Sequence, residues 1–116
     1  MAPQNGFLLE KALENVGGDL EILQEIAALF LEDSPGMLAQ VRLAVERGEA
    51  EPLMRSAHTL KGSVANFGAE AAVEVALRLE RMGQEGHLEG SDEAYRALEK
   101  EIEQVQFALA QIGQST

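Results

Sequence analysis

Arg55, His58 and Lys61 stand at positions i, i+3 and i+6 of a stretch, 52–69, that contains no Asp or Glu, although 20 of the 116 residues are acidic. On a helix turning about 100° per residue, these three climb one side of the cylinder. The apolar residues Leu53, Ala57, Leu60 and Val64 point elsewhere, and His58 lies roughly 130° from the centre of their stripe. The imidazole is therefore expected to face solvent or the bundle edge. Near neutral pH imidazole is in large part uncharged and is a nitrogen nucleophile, able to accept a phosphoryl group and give it up again. Lys61 would offset negative charge on the transferring oxygens. Gly62 costs a helix about 1 kcal/mol relative to alanine, a cost better tolerated where something must approach the backbone. Ala65, further along, is also small. Together these residues predict a shallow, uncluttered, locally positive patch on an acidic molecule.

Other chemistries find little support. No glycine-rich phosphate loop, Walker pattern or Asp-Phe-Gly run is present, so the chain is not expected to bind ATP, and any phosphoryl donor must be another protein. Cysteine is absent and His58 and His87 are the only histidines, so no metal site or bound cofactor is expected. His87, in Gly86-His87-Leu88, has no partner pattern and reads as incidental. Nine basic residues against 20 acidic ones leave a net charge of −11, which repels phosphate backbones and argues against nucleic acid. No apolar run approaches the roughly 20 residues that span a bilayer. The opening Met1-Ala2-Pro3-Gln4 lacks a basic region followed by an apolar one. A cytoplasmic location and no membrane contact are expected.

The elements that must position these residues read as helical throughout. Gly17-Gly18 separate a short opening segment, Phe7 to Val16, from a helix that Asp19 can cap. Leu20, Leu23, Ala27 and Phe30 recur on one face of that helix. At Ser34-Pro35-Gly36, serine before proline predicts an N-cap and a break or kink; Leu38, Val41 and Val45 continue the stripe to Gly48. A third segment runs from about Glu51 to Asn66, closed by Phe67-Gly68 with glycine suited to a left-handed cap. Ala72, Val75, Leu79 and Met82 mark the next helix, and Gly83, Gly86 and Gly90 with Ser91-Asp92 read as a turn-rich connection. Leu98, Ile102, Val105, Leu109 and Ile112 form the seam of the last helix, expected in the core rather than between subunits. The fold class is all-α: a single domain spanning 1–116 with its core about 19–112, an up-and-down antiparallel four-helix bundle with a short extra N-terminal helix.

The run Ala57-His58-Thr59-Leu60-Lys61-Gly62-Ser63-Val64-Ala65-Asn66-Phe67-Gly68-Ala69 resembles the signature of histidine-containing phosphotransfer (HPt) domains, A-H-x-L-K-G-s-x-x-x-(L/F)-G-A, at every defining position. The resemblance implies that His58 is the phosphoacceptor through Nε2, that Lys61 helps hold the phosphoryl group, and that Gly62 permits docking of a receiver domain. Family members often set a polar residue of the following helix against the other imidazole nitrogen, and by its spacing Glu80 is the candidate here. Met54, Arg55, Thr59 and Ala65 are the expected docking residues around the histidine. The implied partners are response-regulator receiver domains or a hybrid sensor histidine kinase, with Mg²⁺ held by the receiver. The chain would then be a monomeric phosphocarrier without kinase activity of its own. The rival reading is a non-catalytic acidic helical adaptor that binds signalling proteins.

Overall fold

A computed structural model describes the backbone of residues 2–114 and the burial of side chains 9–112; Met1 and the side chain of Phe7 lie outside these. Five helices follow in order: α1 (Ala2–Asn15), α2 (Leu20–Arg47), α3 (Ala50–Ala65), α4 (Glu70–Glu85) and α5 (Ser91–Gln114). Helices α2 to α5 pack in a closed ring, each against its chain neighbours and α5 back against α2, while α1 lies across α2 and α5.

Local chemistry explains several of the boundaries. Asp19 accepts a hydrogen bond from the Ile22 amide at 3.2 Å, satisfying an amide that the first turn of α2 leaves free. Pro52 falls in the first turn of α3, where an amide would have no intrahelical partner in any case. Past the end of α3, Gly68 turns the chain with φ +67. A Cβ at Gly68 would also sit 2.9 Å from Lys11 Cβ of α1, so both backbone conformation and contact demand glycine there. Helix α1 is fastened over this turn by Lys11 Nζ to Glu70 Oε2 at 2.6 Å and by Asn15 Nδ2 donating to the Asn66 carbonyl at 3.0 Å.

Three expectations need correction. Helix α2 is unbroken across Ser34-Pro35-Gly36. Ser34 does not cap a new helix; it is fully buried and accepts from Gln106 Nε2 of α5 at 2.8 Å. Packing of Phe30 and Val41 on either side carries the helix through, with Pro35 itself on the exposed face. Leu20, expected on the apolar face, is 51% exposed because it opens the helix before the bundle begins. Gly83 does not belong to a turn: it lies inside α4 and is buried.

The core runs down the bundle axis through Leu23, Phe30, Val41, Leu53, Leu60, Leu79, Leu98 and Ile102. The seam of α5 expected from its spacing is buried throughout, from Leu98 to Ile112. Phe67 is 1% exposed and meets Phe30 edge to face, centroids 5.4 Å apart, which anchors the end of α3 on α2.

Candidate functional site

The site is set by how closely α3 and α4 approach. Gly83 makes that approach possible: a Cβ there would lie 2.6 Å from both the Ala50 carbonyl oxygen and the Met54 amide nitrogen. No other side chain fits. The two helices run antiparallel, so Met54 opposite Gly83 brings His58, one turn on, opposite Glu80, one turn back. Gly83 thus stands outside the turn-rich connection expected from its sequence, and the signal for its role is the steric one supplied by the neighbouring helix.

Glu80 then bridges two side chains of α3. Its Oε2 lies 2.9 Å from His58 Nδ1, and its Oε1 lies 2.7 Å from Lys61 Nζ. The carboxylate is 14% exposed, the Lys61 side chain 25% and the imidazole 66%. Lys61 holds the Glu80 carboxyl below its ordinary value; partial burial opposes this and the His58 contact adds to it. Glu80 is accordingly ionised at neutral pH and can only accept. The shared hydrogen must therefore sit on His58, with Nδ1–H donating to Glu80. In the neutral ring that leaves the Nε2 lone pair free, on an imidazole whose inner nitrogen is turned towards α4.

The surroundings of the ring are open. Gly62 is exposed, and nothing lies within 4 Å of where its Cβ would stand. Ala65 is exposed beyond it. Arg55 and Lys61 do not act as one cationic stripe: they occupy opposite flanks of His58. Lys61 turns to α4, whereas Arg55 lines a groove between α3 and α2 with Met37, Gln40, Ser56 and Thr59. Thr59 is part of this wall, its hydroxyl donating to the Arg55 carbonyl at 3.0 Å. Met54 is half-buried, and its backbone is the surface on which Gly83 rests. The acid-free patch expected from 52–69 is thus not acid-free in three dimensions, because Glu80 enters it from α4.

A second hollow, sharing Met37 with this groove, is lined by Ile26 and Leu29 of α2 and by Ser63 and Asn66 at the end of α3. Leu29 is 57% exposed and Ile22, on the same side of α2, 45%. These residues fall outside the stripe read from Leu20, Leu23, Ala27 and Phe30. Ile22, Ile26, Leu29 and Met37 recur at helical spacing and form a second apolar stripe beside the buried one. That repeat was the available signal.

A family model described as the Hpt domain matches residues 25–108 of the chain. The chain belongs to the Hpt domain family. Hpt domains are helical bundles that carry out histidine phosphotransfer in phosphorelays, and they act as phosphocarriers rather than kinases, interacting with receiver domains and kinases. Comparison with curated proteins and with solved structures returned no match. Among the described residues of this Hpt domain, no helix is long and apolar enough to cross a membrane.

Proposed function

We propose that His58 takes a phosphoryl group on Nε2 from the aspartyl phosphate of one receiver domain and delivers it to the aspartate of another. The observation that carries this reading is the polarity of the ring: Nδ1 is bound to Glu80 at 2.9 Å while the imidazole is 66% exposed. In the forward step the Nε2 lone pair attacks phosphorus. The bond from phosphorus to the aspartyl oxygen breaks, and the carboxylate leaves with the electron pair. Because Nδ1 keeps its hydrogen, the phosphorylated ring is positive, and the Glu80 carboxylate offsets that charge. Delivery to a second aspartate is the same step reversed, with a neutral imidazole as leaving group.

Lys61 screens the phosphoryl oxygens as the second anion, the receiver carboxylate, closes on them. Gly62 and Ala65 leave the approach clear, and the groove between α2 and α3, lined by Met37, Gln40, Arg55 and Thr59, seats the receiver beside the ring. Any Mg²⁺ in the transfer belongs to the receiver's acidic pocket, and this chain binds no cofactor.

Incubation with phosphorylated receivers tests the reading. Wild type is expected to acquire an acid-labile, alkali-stable phosphate that His58→Gln does not. A wild-type chain that binds receivers without ever becoming labelled would be an adaptor instead.

A further inference from the structure

Glu80 holds His58 and Lys61 at once, one on each oxygen, at 2.9 and 2.7 Å. Lys61 is a residue of the same helix as His58, three positions on, with a four-carbon stem that lets its ammonium change partners. A phosphoryl group on His58 would bring three acceptor oxygens and up to two negative charges within reach of that ammonium. We propose that Glu80 and the phosphoryl group compete for Lys61, so that the partition of one ammonium between two anions sets the lifetime of the phosphorylated state. This rests on His58 being the phosphoacceptor.

The direction of the effect follows from the transition state. When water cleaves the phosphoramidate, its oxygen bonds to phosphorus, the bond from phosphorus to Nε2 breaks, and the imidazole recovers the electron pair as inorganic phosphate departs. As the bond from phosphorus to Nε2 breaks, its electron pair passes to the cationic ring and charge is drawn off the phosphoryl oxygens, so a cation on them favours the ground state and slows hydrolysis. The incoming water is neutral, so no second anion needs screening, in contrast to transfer from a carboxylate. By drawing Lys61 towards α4, Glu80 leaves the phosphohistidine less protected against water and shortens its lifetime.

The test uses the whole chain phosphorylated by phosphoramidate. This small molecule needs no receiver: its bond from phosphorus to nitrogen breaks, the bond to Nε2 forms, and ammonia leaves. Phosphohistidine lifetimes are followed by ³¹P NMR in wild type, Glu80→Gln, Lys61→Ala and the double variant. Glutamine keeps an acceptor for Nδ1–H while giving up the charge that holds Lys61. Glu80→Gln should lengthen the lifetime about two- to fivefold, the scale of one partly exposed ion pair, and Lys61→Ala should shorten it. The double variant should match Lys61→Ala. A lengthening that persists without Lys61 would place the effect on the ring and overturn the proposal, as would an unchanged or shorter lifetime in Glu80→Gln. A His58 that phosphoramidate does not label overturns it too. Receivers that fail to label the chain sink the carrier reading but leave these lifetimes standing.

Discussion

At the scale of single residues, what matters about His58 is which nitrogen is occupied. Glu80 takes the inner one, and its own charge is secured by Lys61. Lys61→Ala is expected to slow phosphoryl transfer from a receiver by about tenfold or more, below the 10²–10³ typical of a fully enclosed donor because the site is open; stopped-flow or quench-flow transfer kinetics would show it, and an unchanged rate would remove Lys61 from the reaction. The pH dependence has a definite sign. Glu80 is lowered from an ordinary carboxylate value of 4.5, so its contribution to folding is fully present above that value and is lost as pH falls through the lower folded value. ¹⁵N NMR of the His58 ring across the acid range should show the Nδ1 environment change there, and Glu80→Gln should abolish that transition. Gly62→Gln should block transfer while leaving the helical circular dichroism spectrum intact.

At the scale of elements, two helical glycines are expected to respond in opposite ways to the same change. Gly62 faces open space, so Gly62→Ala should stabilise the bundle by up to about 1 kcal/mol through helix propensity. Gly83→Ala gains the same propensity but drives a methyl group into the α3 backbone at 2.6 Å. Overpacking costs about 1–3 kcal/mol, more when backbone must move, so the net effect is destabilising, and the α3–α4 separation that lets Glu80 reach His58 should widen. Thermal denaturation of the two variants separates them, and a Gly83→Ala protein as stable as wild type would contradict this account of the helix pair. The same contrast explains what was legible in the sequence. His58, Lys61 and Gly62 lie on one helix, so the 3.6-residue period and the motif around them sufficed. Glu80 was reached only through the family spacing, since no local pattern links 58 to 80. Gly83 and the continuity of α2 at Pro35 depend on neighbouring helices, and a glycine near a helix end or a Ser-Pro pair reads locally as a stop.

At the scale of the molecule, the acidic bundle presents an open site whose nearby apolar exposure is concentrated along α2, from Ile22 and Leu29 towards the groove beside His58. The seam of α5, Leu98, Ile102, Val105, Leu109 and Ile112, is buried within the chain and is not available to a second copy. The chain is therefore expected to be a monomer of 12.5 kDa in light scattering at micromolar concentration; a concentration-dependent dimer would mean that the exposed α2 stripe, or Phe107 of α5 with 59% of its surface exposed, serves self-association. The central claim, an imidazole held by one nitrogen and open at the other, is tested most directly by long-range ¹H–¹⁵N NMR of the chain after phosphorylation by a receiver. The account predicts phosphorus on Nε2 of His58 with hydrogen retained on Nδ1. Phosphate on Nδ1, or on any other side chain, would contradict it.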